Sequence, residues 1–159
     1  MELAERVGHA LSQQQWVAAT AESCTGGGVS MAITEIAGSS AWFDRAFVTY
    51  SNEAKQQMLD VQDATLSVHG AVSEATVIEM AIGALAHSRA DISVAISGIA
   101  GPGGGTADKP VGTVCFAWAD KTGWQEVETC LFSGDRQAVR TQAVEKSLHG
   151  LLHRLQSLG

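Results

Sequence analysis

Basic residues are scarce in this chain, and nowhere do they cluster. Its 10 lysines and arginines stand against 17 aspartates and glutamates, leaving a net charge of −7. Nucleic-acid binding needs grouped cations to replace phosphate counterions, so that class of partner is excluded, although a local pocket for one small anion is not. Long apolar runs are also missing. None approaches the roughly 20 residues that a membrane span requires, so no membrane association is expected. The start, Met1-Glu2-Leu3-Ala4-Glu5-Arg6, lacks a basic stretch leading into an apolar core, and no secretory signal is read there. The 3 cysteines, Cys24, Cys115 and Cys130, are an odd number without metal-type spacing. Free thiols in a reducing cytoplasm follow, with no metal site and no cofactor. Cys115 and Cys130 fall in expected strands and read as core packing.

Proline is rare at 2 residues while glycine reaches 17, so the loops carry the backbone freedom and reward attention. The 159 residues, 45% hydrophobic and 17% charged, suit one domain over 1–159 with a real core. Apolar groups at Leu3, Val7, Ala10 and Leu11 mark a helix over 2–14, by their helical spacing. A strand over 16–20 leads into a turn at Ser23, then a helix from about Gly26 to Ala37, stopped by Gly38, glycine being a natural helix terminator. Arg45–Tyr50 reads as a strand, and Ser51 and Asn52 cap a short helix through Leu59, their side chains suiting that position. Ser73 caps a longer helix, and Ile92–Ile96 is apolar enough for a strand buried on both faces, as in a parallel sheet. After the glycine-rich stretch Ser97–Gly112, Thr113–Ala119 and Trp124–Phe132 form a hairpin around Lys121-Thr122-Gly123, and a last helix runs from about Asp135 to Leu158. The expected fold is α/β: a mixed β-sheet flanked by helices in layers.

Ligands of open α/β sheets sit beyond the carboxyl ends of the strands. Three segments are expected to share that edge: Ala21–Gly27, Thr49–Lys55 and the glycine loop after Ile96. The first places Ser23, Cys24 and Thr25 beside a helix N-terminus, whose free N–H groups and positive dipole end suit an anion or an oxyanion. These residues serve equally as simple helix caps. Cys24 rivals Ser23 as a nucleophile, because a helix N-terminus lowers a thiol pKa. The glycine loop, Ser97-Gly98-Ile99-Ala100-Gly101-Pro102-Gly103-Gly104-Gly105, lacks the lysine ending of a P-loop and precedes a hairpin, not a helix. Its N–H groups can approach a ligand closely.

Lys55 is a surface charge by default. Buried beside a serine, its ammonium loses hydration, its pKa falls, and the neutral amine accepts the serine proton. Tyr50, the only tyrosine, belongs to the core or lines the pocket. Arg136 opens the last helix and shares a face with Arg140. It is suited either to a surface ion pair or to clamping a phosphate. His149 and His153 are four apart, but no glutamate completes an HExxH pattern.

Taken together, AESCTGG at 21–27, GSSAWF at 38–43, VTYSNEAK at 48–55, GAVSE at 70–74, SGIAGPGGG at 97–105, KPVGTV at 109–114 and FSGDR at 132–136 resemble the C-terminal domain of competence-damage-inducible protein A in its stand-alone form. The motifs occur in family order and span nearly the whole chain. The resemblance implies hydrolysis of the carboxamide of nicotinamide mononucleotide, giving nicotinate mononucleotide and ammonia, within pyridine nucleotide recycling. It also implies a homodimer or higher oligomer and no metal. Carried onto this chain, it casts Ser23 as nucleophile, Lys55 as its base and Tyr50 as a pocket wall. N–H groups from Thr25, Gly26 and Gly27, or from the loop containing Ser97, Gly98 and Gly101, would hold the oxyanion, and Arg136 the phosphate. A non-catalytic nucleotide-binding module, or an amidase for another small carboxamide, would use several of the same parts. A depressed lysine pKa beside Ser23 separates a hydrolase from a binding module.

Overall fold

Strand alternation sorts the side chains of this protein by size. In β3 (Ile92–Gly98) and β4 (Thr113–Asp120), Ile92, Val94, Ile96, Val114, Phe116 and Trp118 point to one face of the sheet and join one core cluster. The intervening Ala95, Cys115, Ala117 and Ala119 join another on the opposite face. The period of two along a strand produces this division. Bulky residues fill the space under α1 (Leu3–Gln14), α2 (Gly28–Thr34) and α6 (Arg136–Ser157), and small ones let α5 (Glu74–Ala86) lie close on the other side. Phe116 stacks on Trp118 with ring centroids 5.6 Å apart. Gly150 of α6 lies against the Trp118 indole, where a Cβ would come within 2.1 Å of the ring.

The computed structural model describes residues 2–159. The sheet has 5 strands in the order β2-β1-β3-β4-β5, with β1 (Ala18–Glu22), β2 (Phe43–Val48) and β5 (Gln125–Leu131) completing it. Strands β2, β1 and β3 are parallel to one another, whereas β4 and β5 are antiparallel additions. The mixed α/β sheet expected from the pattern is thus present. At the hairpin, Asp120 accepts the Thr122 N–H at 2.9 Å, and Arg154 donates to it at 2.8 Å, pinning the end of α6 to the sheet.

Several boundaries differ from the sequence reading. β1 begins at Ala18 and runs through Glu22, so the polar Glu22 lies inside the strand. β2 ends at Val48, leaving Thr49 and Tyr50 beyond it. α2 is short, Gly28–Thr34, because Gly26 and Gly27 adopt φ of 58° and 99°, a left-handed conformation that cannot begin an α-helix. An unexpected helix, α4 (Asp63–His69), follows α3 (Asn52–Leu59). Its N-terminal approach is held by Glu79, which accepts from Gln62 N–H at 2.8 Å and Thr65 Oγ1 at 2.6 Å, partners that are distant in sequence. No helix among the described residues is long and apolar enough to cross a membrane.

Candidate active site

Glu22 of β1 is level with Val48 of β2 and Ile96 of β3. β1 and β2 finish level with each other while β3 runs on to Gly98, so Ser23, Thr49–Tyr50 and the last two residues of β3, Ser97 and Gly98, gather at one carboxyl edge, where open α/β sheets place ligands. A cleft of about 310 Å³ opens there. Ser23, Tyr50, Lys55, Ser97, Gly98, Gly101 and Arg136 all line it.

Ser23 sits at the top of a tight turn. Its N–H donates to Ile96 O at 3.0 Å, and Gly26 N–H donates back to Ser23 O at 3.0 Å. Lys55 arrives from α3, whose start is fixed by Ser51, the Ser51 hydroxyl accepting the Ala54 N–H at 3.0 Å. The lysine lies on the inward face of that helix and is 1% exposed. Its Nζ is 3.0 Å from Ser23 Oγ and 3.1 Å from Tyr50 O. Both partners are neutral. Burial lowers the Lys55 pKa below its ordinary 10.5, and the nearby Cys24 acts in the opposite sense. A neutral amine here donates to the Tyr50 carbonyl and keeps its lone pair for the serine proton.

Cys24 also reaches the cleft, but burial pushes its thiol up to about 11. This overturns the expected lowering by a helix N-terminus. The main cause is the loss of hydration at this buried position, which outweighs the opposing pull of Arg140 and Lys55, and a smaller contribution in the same direction comes from the wholly buried Glu22. Its carboxylate accepts the Val29 and Ser30 N–H groups of α2 at 2.8 and 2.9 Å. The helix end expected to meet an anion is already occupied by one of the protein's own.

Thr25, Gly26 and Gly27 stand outside the residues that line the cleft. Thr25 Oγ1 donates to Glu22 at 2.8 Å, Gly26 N–H is spent on Ser23 O, and Gly27 caps α2. Arg140 reinforces the arrangement from α6, donating to Cys24 O at 3.0 Å and Thr25 O at 3.2 Å.

The glycine loop is built, not slack. Ile99 N–H donates to Thr113 O and Gly112 N–H to Ile99 O, at 2.9 and 2.7 Å. Lys109 ties the loop's far side to His69 O at 2.8 Å. Gly101 and Gly105 press on Val111, where an added Cβ would come within 2.5 and 2.7 Å respectively. Among the described residues no protein acceptor takes the N–H of Ala100, Gly101, Gly103 or Gly104. Arg136 closes this side, donating to Gly101 O at 2.9 Å, with its other nitrogen 3.4 Å from the Tyr50 hydroxyl. Tyr50 therefore enters the site twice, through its carbonyl at Lys55 and its ring at the mouth, where the residue is 62% exposed.

Sequence reasoning missed the role of Glu22, and it missed Asn52, Ala71 and Val72 as lining residues. A carboxylate closing a strand of small residues was the available signal for Glu22, whereas Arg140, already read as sharing a face with Arg136, turns out to grip the Ser23 turn. Among the described residues no cluster of three or more His, Cys, Asp or Glu side chains is placed to hold a metal ion.

Comparison with known proteins places this geometry in context. Residues 1–155 match the family model of the CinA C-terminal domain. The chain is 60% identical over 151 residues to the nicotinamide-nucleotide amidohydrolase PncC of Escherichia coli K12, covering 95% of this chain and 92% of that protein. Among solved structures, it is similar to the competence/damage inducible protein CihA of Agrobacterium tumefaciens, with a TM-score of 0.94, 46% identity, and coverage of 97% of this chain and 93% of that one. A CinA superfamily protein of Klebsiella pneumoniae superposes with a TM-score of 0.93 at 46% identity, covering 98% of this chain and 96% of its own.

Proposed function

The chain belongs to the CinA C-terminal domain family, and from that premise we propose that it is a nicotinamide-nucleotide amidohydrolase acting through Ser23 and Lys55. The substrate is nicotinamide mononucleotide, and the products are nicotinate mononucleotide and ammonia. The observation that carries the mechanism is a lysine 1% exposed, with a lowered pKa and its nitrogen 3.0 Å from a cleft serine. A nucleotide-binding module has no use for a desolvated lysine at that position.

An amide carbon is a poor electrophile, so it needs an activated nucleophile and a stabilised oxyanion. Ser23 Oγ attacks the carboxamide carbon as its proton passes to the Lys55 amine. The resulting Lys55 ammonium then returns a proton to the leaving nitrogen, which departs as ammonia and leaves the nicotinate mononucleotide acyl group esterified to Ser23. Water, deprotonated by the same amine, hydrolyses that ester. The unpaired N–H groups of the glycine loop, one of the two donor sets expected for this role, serve the oxyanion. Arg136, at the mouth, holds the phosphate, and this remote contact positions the carboxamide at Ser23. The Tyr50 carbonyl orients Lys55, and its ring walls the pyridine side. A homodimer or higher oligomer and a cytoplasmic place in nucleotide recycling belong to the same reading. Val48 and Tyr50, exposed at the end of the edge strand β2, offer apolar surface for a second copy.

The test is ammonia release from nicotinamide mononucleotide by metal-free protein, with Ser23→Ala and Lys55→Ala alongside. Loss in both variants supports the reading. Release that survives Ser23→Ala keeps the enzyme but removes the assigned nucleophile, and no release by the unmodified protein rejects the activity.

A further inference from the structure

A buried carboxylate next to the nucleophile has no part in the chemistry above. Glu22 is 0% exposed and accepts four hydrogen bonds. One oxygen takes Thr25 Oγ1 at 2.8 Å and Val29 N–H at 2.8 Å, and the other takes Thr20 Oγ1 at 3.0 Å and Ser30 N–H at 2.9 Å. The donors come from three places: the strand before Ser23, the turn after it, and the first turn of α2. A buried charge survives only when its lone pairs are satisfied, and bonds to an ionised acceptor are the strong kind. Among the described residues no cation pairs with this carboxylate, and its partners are hydroxyl and backbone N–H donors.

We infer that Glu22 is the positioning residue of the nucleophile turn, fixing Ser23 against Lys55 by holding the chain on both sides of it. This rests on the reading of Ser23 as nucleophile. The turn needs such a fastening because Gly26 and Gly27, at φ of 58° and 99°, give it backbone freedom and no side chains to pack. Thr25 is the link between the carboxylate and the turn. Its hydroxyl is bound by Glu22 while its carbonyl accepts from Arg140 at 3.2 Å and from Gly28 N–H at 2.9 Å. Glu22 grips the residue from the sheet and Arg140 from α6. Thr20, by contrast, binds the same carboxylate from within β1, behind the turn. Reaction geometry is demanding, and displacements of about 1 Å lower rates by up to about 100-fold.

Glu22→Gln is the direct variant, but it sets an amide N–H against a backbone N–H and risks misfolding. Thr25→Val and Thr20→Val are the informative pair. Both are nearly isosteric, both residues are buried, and each removes one hydroxyl bond to Glu22. Tm, kcat and KM for nicotinamide mononucleotide are measured for both, with Ser23→Ala as reference. If Glu22 positions the turn, the two variants lose similar stability, but only Thr25→Val loses kcat, by about 10-fold or more with KM little changed, while Thr20→Val keeps the unmodified kcat. Equal losses of kcat in both, or none in Thr25→Val, overturn the inference. An active Ser23→Ala instead overturns the nucleophile assignment on which it rests, so the two failures are separable.

Discussion

Lys55 Nζ lies 3.0 Å from Ser23 Oγ across 32 residues of sequence. One group comes from the turn after β1 and the other from the first turn of α3. The contact is therefore a product of the parallel pairing of β1 with β2, which brings both connections to the same edge. Among the described residues no carboxylate bonds to Lys55 to strengthen its hold on a proton, and burial lowers its proton affinity against the opposing influence of Cys24.

Removing either member should abolish turnover. Ser23→Ala and Lys55→Met are expected to reduce kcat for nicotinamide mononucleotide by at least about 10³-fold, since groups that act as a unit fail together. The double variant should be no worse than either single one. Early acid quenching followed by mass analysis of the Ser23 peptide should detect an ester of nicotinate mononucleotide in the unmodified enzyme alone.

Activity should climb with pH along an acid limb set by Lys55. The amine is competent only when unprotonated, and burial moves its pKa below 10.5, so the limb should lie below the ordinary lysine range. A kcat/KM profile still rising with unit slope beyond pH 10.5 would contradict a desolvated base.

The same burial makes Lys55 a stability liability. Its folded pKa is lower than its unfolded one, so between the two values the unfolded chain binds the proton that the folded chain has shed, and folding stability rises with pH. Below the folded value the buried ammonium carries its full desolvation penalty. Lys55→Met should therefore gain most in Tm over the unmodified protein at low pH, and the difference should shrink as pH rises through the window. A difference independent of pH would show that Lys55 does not titrate differently on folding.

Arg136→Ala should act through the phosphate. Loss of a charged contact of about 1.5–3 kcal/mol corresponds to a rise in KM of roughly 10–100-fold for the mononucleotide. Nicotinamide riboside, which has no phosphate, should be processed equally by both proteins. An equal loss with the riboside would place Arg136 elsewhere in the mechanism, for example in holding the glycine loop through Gly101 O.

Gly150→Ala tests the packing of α6. The added methyl would meet the Trp118 ring, itself 1% exposed and hydrogen-bonded from its Nε1 to Ser147 O. Overpacking of this kind destabilises by about 1–3 kcal/mol, readable as a lowered denaturant midpoint with little change in m-value.

The helical stripe of α1, the caps Ser51 and Ser73, the buried strand β3 and the hairpin were legible because each depends on residues a few positions apart. The structure bears them out, with Ser51 and Ser73 accepting the Ala54 and Thr76 N–H groups at 3.0 and 3.1 Å. The start of α2 was misread because glycine carries no periodicity signal, and two left-handed residues delay the helix. α4 was missed because Glu79, 17 residues beyond Gln62, stabilises its approach from another helix.

By itself the sequence determined the small-residue turn after a buried strand, the glycine loop, the helix that carries Lys55, and the family to which their order belongs. All of these are local patterns, set by side-chain period, capping and backbone freedom. Tertiary structure alone decided what these parts do to one another. Desolvation of Lys55, occupation of the α2 N-terminus by Glu22, and the raised thiol of Cys24 are properties of surroundings assembled from distant segments. Electrostatic effects depend on what lies within a few ångströms and on how much water remains there, and neither is written along the chain.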